Sequence, residues 1–412
     1  MTYSPTDLLT VYLEEPGERR KVGRLALRQR QVLFEYDPSF IASGIELSPL
    51  KLPLRPGVFI APDMIFEGLF GVFNDSLPDG WGRLLLDRTV EKHGVRRGQL
   101  NPLDRLAFVG MHSMGALSYE PDHSQHYAEG DTPLALDRLA EESAIMLAGE
   151  SEEVFEELLK LNGSSAGARP KIVAQVSAGK SKIIHGGADK LKPGYEHWII
   201  KFASSQDPRD VGAIEYAYSM MARDAGLDVP ETHLFRTRKR RYFGVKRFDR
   251  QGGRRVHMHS LSGLIHADHR VPALDYNLIL RVVLVLTKSV VEVEKAYALA
   301  CFNVLAHNRD DHAKNFSFLL NHENQWIFAP AYDLTFSDGP AGEHSTMVMG
   351  EGRNPGIDHL VALGKEHNLK HANRILTKVQ VAIARWKRHA ADAGVSARST
   401  KSIGESIPQH PG

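Results

Sequence analysis

The sequence predicts an α+β protein, with a small β-rich module at its N-terminus and a mostly helical C-terminal part. Three observations carry this. LLTVYL, KVGRLALR and QVLFEY are short runs of branched and aromatic residues divided by charged turns, LRQRQ being a hairpin connection. The middle of the chain reads strand, helix, strand, strand in HWIIKF, IEYAYSMMARDAG, THLFR and YFGVKRF, a sheet with one helix across it. After about residue 260 the apolar spacing becomes helical.

Taken in order, prolines 49, 53, 56 and 62 punctuate the chain before SLPDGWGRLLLDR, where the turn Pro78-Asp79-Gly80 leads into a helix from about Trp81. The aperiodic YEPDHSQHYAEGDTP closes this module near residue 125. Two acidic helical segments follow, the second with a stripe of Val154, Phe155, Leu158, Leu159 and Leu161 and a solvated glutamate face. Gly226 closes the central helix. Ser289 with Glu292 is a capping-box pattern opening the helix that carries Cys301, and a last helix is expected over residues 373–393. The expected divisions are residues 1–125, 126–260, 261–394 and a disordered tail, 395–412.

With 51 basic against 50 acidic residues there is no overall polyanion-binding signature. A single cysteine excludes an intrachain disulfide framework and suits a reducing cytoplasm. The opening residues lack a basic start followed by an apolar stretch, so export is not expected. The most apolar stretch is broken by Arg281, Lys288, Glu292 and Glu294, so no membrane span is expected.

Four places carry chemistry. GSSAGARPK, Gly163 to Lys171, is a glycine-serine loop before a strand; its backbone N–H groups suit phosphates with Lys171 as charge partner, while a plain turn is the simpler reading. It is not a P-loop, because the lysine comes four residues after Gly167. Lys201 lies in an apolar strand, either at an exposed edge or aimed at an anion, with Glu215 on the next helix as candidate partner, as protein kinases hold ATP. In HNRDDHAKNFSFLL, Arg309-Asp310 and Asn315 fit R-D-x-x-x-x-N: an aspartate that takes the acceptor hydroxyl's proton and an asparagine that holds magnesium. Asp333, eighteen residues on, ends a strand-like run and supplies a second oxygen ligand suited to Mg²⁺. Two other readings of the histidine-acid cluster stand: a transition-metal hydrolase site built from His307, Asp310, Asp311 and His312, and a polar loop that satisfies helix ends.

On SSAGARPK, VKRFDR, HNRDDHAKNFSF, PAYDLT and SLPDGWGRLLLDR, the chain resembles the HipA family of serine/threonine kinase toxins from about residue 8 to 390. The resemblance implies a two-lobed kinase-like fold using ATP and Mg²⁺. It makes Asp310 the catalytic base and Asn315 and Asp333 the metal ligands. Ala166, Gly167, Ala168, Arg169, Pro170 and Lys171 would cover the phosphates and Lys201 would contact them. Lys246, Arg247 and Phe248 would form the adenine-side hinge, and His312, Ala313, Lys314 and Tyr332 would line the nucleotide site. Ser164 matches the autophosphorylated serine, with Ser165 beside it, and Asp311 stands as a second acid beside Asp310. The implied substrate is a protein serine, in the family's best-known members one of an aminoacyl-tRNA synthetase. The implied partner is a helix-turn-helix antitoxin through which DNA would be contacted indirectly. A catalytically silent binding protein on the same fold is the alternative class.

Overall fold

Alternation of buried and exposed residues sets the first sheet. In β1 (Leu8–Glu15), Leu9, Val11 and Leu13 turn inward. It pairs antiparallel with β2 (Glu18–Arg28), which pairs with β3 (Gln31–Tyr36). The LRQRQ hairpin forms as expected, with Gln29 and Arg30 both left-handed (φ 49° and 66°), the geometry of a two-residue turn that matches strand twist. With β4 (Val58–Ile60) and β5 (Leu117–Glu120) the order is β4-β3-β2-β1-β5. The computed structural model describes residues 5–62, 64–92, 95–124, 133–149, 158, 161, 167, 169–186 and 191–407. Most of the second acidic segment expected over 154–161 lies outside them.

The chain divides into two units. The first comprises Met1–Asp207, Phe235–Arg240 and Gly244–His266. It holds the β-rich sheet, α1 (Gly80–Lys92), α2 (Leu136–Ala148) and most of the sheet β7-β6-β8-β10-β9, made of β6 (Lys171–Ser177), β7 (Ile183–His185), β8 (Tyr195–Lys201), β9 (Thr232–Arg236) and β10 (Arg241–Lys246), the first three residues of β9 and of β10 being counted with the second unit. Two buried polar knots join segments remote in sequence. Asp249, 1% exposed, accepts hydrogen bonds from Arg247, Arg250 and the Gly115 N–H. Burial pushes its carboxyl up, but the guanidiniums win and hold it far below the usual range. Asp75 lies 2.6 Å from His259 Nδ1, whose Nε2 lies 3.0 Å from Ser48 Oγ. That connectivity matches a hydrolytic triad, yet Ser48 is only 1% exposed and His259 0%; the knot ties loops together and keeps its hydroxyl from solvent. Beside it Gly71 and Gly263 are backbone to backbone, with no room for a Cβ on Gly71.

The second unit comprises Pro208–Leu234, Arg241–Phe243 and Ala267–Gly412. Its helices include α3 (Val211–Asp224), α4 (Tyr276–Thr287), α5 (Val290–Leu305), α6 (Ala372–Ala384), α7 (Trp386–Ala393) and α8 (Ala397–Ser406), with a hairpin of β11 (Ser317–Leu320) and β12 (Trp326–Phe328). Gly226 follows α3 at φ 85°, as expected. Tyr218 of α3 meets Trp386 of α7 edge-on at 5.5 Å.

Three expectations are corrected. Ser289 precedes α5 but makes no side-chain cap; Glu292 is buried and accepts the Phe328 N–H at 2.8 Å, so tertiary pairing with β12 outcompetes the capping box. The single last helix is two, broken at Arg385. The tail is helical and packed over the described residues 395–407: Ser396 caps α8, Trp386 Nε1 donates to Thr400 O, and Ile403 and Ile407 are buried, so two isoleucines and a tryptophan partner suffice; residues 408–412 lie outside the described residues. Among the described residues no helix is long and apolar enough to cross a membrane.

Candidate functional site

The loop after α5 is shaped by what it buries. Asp311 is fully buried (0% exposed) and accepts hydrogen bonds from Tyr276 Oη (2.9 Å) and the Thr346 N–H (3.2 Å), with His344 Nδ1 at 3.0 Å. Asn303 donates to the same Tyr276 oxygen, and Asn308 to Asn303. Burial first, and the Asp311 carboxylate next, raise the Tyr276 pKa well above its ordinary value, keeping it a donor. Asp311 is therefore the loop's anchor, and the open question of the second acid has a structural answer. Asp310, next to it, points the other way and its side chain is 56% exposed.

Asn315 ends a 3₁₀ turn, Ala313–Asn315, in which Ala313 is buried and Lys314 half-buried. Its Nδ2 donates to the Asp310 carbonyl at 2.7 Å, which leaves Oδ1 as the end offered outward. That orientation suits a hard cation, which needs amide oxygen and not nitrogen. Asp333 is brought to this turn by the β11–β12 hairpin. Its neighbour Tyr332 donates to the Lys314 carbonyl at 2.5 Å and meets Ser317 Oγ at 2.6 Å, so the residues before Asn315 and Asp333 are hydrogen-bonded across eighteen positions. Asp333 itself is left-handed at φ 57°, a costly conformation for a non-glycine and one that aims a carboxylate where a regular strand end would not. The residues present fit a magnesium ion: one amide oxygen and one carboxylate on adjoining backbone.

The hydrolase reading loses its geometry. His307 stacks on Phe336 at 5.2 Å, Asp311 is consumed in the anchor, and His312 meets the His269 ring edge-on at 5.5 Å. Among the described residues no three histidine, cysteine, aspartate or glutamate side chains converge as a metal set.

In the first unit, Lys171 and Lys201 are direct partners across β6 and β8, which puts both ammoniums on one sheet face. Lys171 is 4% exposed. Gly167 has φ 108°, a backbone conformation that favours glycine, and its Cα lies close under the Lys171 ammonium. Asp79, at the start of α1, accepts the Gly167 N–H, and Trp81 N–H donates to Gly167 O at 3.2 Å. This clasp of the loop by SLPDGW was not foreseen; its only sequence signal was the turn itself. Arg169 pairs with Asp207 at 2.9 Å, and the Pro170 carbonyl accepts from Phe202. Ser164, Ser165, Ala166 and Ala168 lie outside the described residues.

The segment after β10 is held by its side chains. Lys246 donates to Glu196; burial raises the Glu196 carboxyl's pKa, but hydrogen bonds from Lys246 and Lys180 outweigh it and the net shift is down. Arg247 is committed to Asp249 and its N–H to the His197 carbonyl, so this residue offers a ligand little beyond its own carbonyl; Phe248 is half-buried. Glu215, on α3 in the second unit, is 2% exposed.

Two family descriptions match in chain order: a HipA N-terminal domain over residues 9–120 and a HipA-like C-terminal domain over residues 163–387. The chain belongs to the HipA family. A solved structure described as the Shewanella oneidensis MR-1 toxin antitoxin system HipA, HipB and its operator DNA complex matches with TM-score 0.68 and 20% identity, over 97% of this HipA-family chain and 94% of that one; the likeness shows the shared fold. The protein Y4dM of Sinorhizobium fredii (strain NBRC 101917 / NGR234), named as a candidate kinase, is 30% identical over 151 residues, 33% of this chain and 36% of that protein's length.

Proposed function

We propose that this HipA-family protein is an ATP- and Mg²⁺-dependent protein serine/threonine kinase that acts as a growth-arresting toxin. The observation that carries the reading is the locked turn: Asn315 bound to the Asp310 carbonyl, and Tyr332 binding the Lys314 carbonyl beside Asp333. In it Asp310 presents an exposed carboxylate as base while Asn315 and Asp333 offer oxygens to a metal.

Asp310 takes the proton of the acceptor hydroxyl as its oxygen bonds to the γ-phosphorus and the bond to ADP breaks. Bound Mg²⁺ supplies neutralisation of charge on the phosphate oxygens. Lys171 and Lys201, cations on one sheet face, hold the phosphates, and Gly167 keeps its loop close over Lys171. Lys246 and Arg247 spend their side chains within the protein, so the hinge contacts adenine through backbone and the Phe248 ring. His312, Ala313, Lys314 and Tyr332 border the nucleotide.

The substrate is a protein serine, with an aminoacyl-tRNA synthetase as the family-based candidate, and Ser164 is the self-modified residue. Its phosphate would set about two negative charges among the ATP phosphates, so repulsion silences the enzyme. The partner is a helix-turn-helix antitoxin in the cytoplasm; the HipB and operator DNA in the related complex, and a net charge of +1 on this chain, support DNA contact through that partner. Purified wild type should transfer labelled phosphate from ATP and arrest growth, with both lost in Asp310→Ala and Asp333→Ala. Full autophosphorylation by Asp310→Ala would overturn the assignment.

A further inference from the structure

The loop from Asn308 to Phe316 carries the base Asp310 and the metal ligand Asn315, and one side chain outside the loop touches it near both ends. That side chain is Tyr276, the first residue of α4, 0% exposed. Its hydroxyl donates to Asp311 Oδ2 at 2.9 Å, one residue from the base, and its ring meets the Phe316 ring edge-on at 5.6 Å, one residue from the metal ligand. The same oxygen accepts from Asn303 Nδ2 at 2.9 Å, and Asn303 Oδ1 accepts from Asn308 Nδ2 at 2.9 Å. The start of the loop, its middle and its end thus share one reference.

What holds Tyr276 is itself fixed. The short strand Leu274–Asp275 before it pairs in parallel with Thr346–Met347, and the Asp275 carboxylate accepts the Asn277 N–H at 2.7 Å as the cap of α4 and the Gly350 N–H at 2.7 Å. Thr346, on the paired strand, gives its own N–H to Asp311 Oδ1 at 3.2 Å. One strand pairing therefore aims two donors at one buried carboxylate, and the Tyr276 ring carries that hold on to the metal end.

Inside the loop, Asn315 Nδ2 ties to the Asp310 carbonyl at 2.7 Å, which joins a side chain to the backbone of the base. The spacing of base from metal also needs both flanks held. Phosphoryl transfer depends on that spacing, because the acceptor oxygen and the metal-bound phosphate must stand in line, and a misplacement of about 1 Å can cost roughly a hundredfold.

We propose that Tyr276 is a positioning residue for phosphoryl transfer, a brace whose hydroxyl sets the base end of the loop through Asp311 and whose ring sets the metal end through Phe316. The inference rests on the kinase reading above. Its test uses full-length enzyme and two variants that each cut one end of the brace. Tyr276→Phe removes the hydroxyl and keeps the ring, so kcat should fall roughly tenfold with KM for ATP within about twofold of wild type. Phe316→Leu keeps the hydroxyl bond and removes the ring contact. Mn²⁺, followed by its electron spin signal with a non-hydrolysable ATP analogue present, should then bind roughly threefold to tenfold more weakly, while Tyr276→Phe leaves that affinity within about twofold. Circular dichroism and urea unfolding show whether each variant is folded at the assay temperature. A tyrosine that only fills the core lowers the unfolding midpoint and leaves the kcat of folded enzyme alone; that result for Tyr276→Phe overturns the inference while the kinase reading stands. So does a Mn²⁺ affinity unmoved by Phe316→Leu, which decides the matter by itself if Tyr276→Phe does not fold. Wild type that transfers no phosphate overturns the kinase reading and this inference with it.

Discussion

At the scale of residues, Asp310 and Asp311 show how adjacent identical side chains take opposite surroundings, one exposed and one buried. Asp311→Ala strands Tyr276 Oη, His344 and the Thr346 N–H in the core, and should cost about 3 kcal/mol in denaturant unfolding. Asp310→Ala, exposed, should change stability by no more than about 0.5 kcal/mol while phosphoryl transfer disappears. A stable but inactive Asp311→Ala would reverse the two roles. Asp333 offers a sharper separation. Asp333→Gly removes the carboxylate and relieves a left-handed aspartate, so transfer should be lost while stability holds or rises by about 0.5 kcal/mol. A marked fall in melting temperature would show that the carboxylate serves the fold. The spacing of Asp310, Asn315 and Asp333 was readable because it belongs to one local segment and its hairpin. The anchoring of Asp311 was not, since Tyr276, His344 and Thr346 are remote in sequence and carry no motif.

Between elements, the clasp of Gly167 by Asp79 and Trp81 couples α1 to the loop before β6. Asp79→Ala should loosen that loop and raise KM for ATP by roughly threefold to tenfold, the net worth of one ordinary hydrogen bond, with kcat less affected. An unchanged KM would show that the clasp serves only to dock the N-terminal module. The elements themselves were legible where periodicity was strong: β1 to β3, β6, β8 and α3 stand where the pattern put them. Legibility failed at ends and joins. The Ser289 capping box was a true local pattern whose glutamate was drawn away to the Phe328 N–H. The terminal helix α8 was missed because its stabilising contact, Trp386 to Thr400, is tertiary.

For the whole molecule, pH is the simplest probe of the buried polar knots. Burial lowers the pKa of His257 to about 4, and burial with Arg247 and Arg250 does the same for His197. In the unfolded chain both return to about 6.5, so as pH falls below that value the unfolded state takes up protons first. Stability present at neutral pH should drain away between about 6.5 and 4, by up to about 3 kcal/mol for each histidine. Urea unfolding at pH 7.5 and 5.0 should show the fall, and His257→Gln should flatten it; greater stability at pH 5.0 would contradict the burial of neutral imidazoles.

The pairing of Lys171 with Lys201 has a consequence beyond the site. The two lysines share a face only because β6 and β8 are in register, and that register is set by Ile172, Ala174 and Val176, packed on the opposite face. The oily side of the sheet is thus the ruler for its charged side. A slip of one residue would send the two ammoniums to opposite faces without altering either lysine, so the interior of β6 is where natural variation could re-aim both charges while every polar residue stays the same.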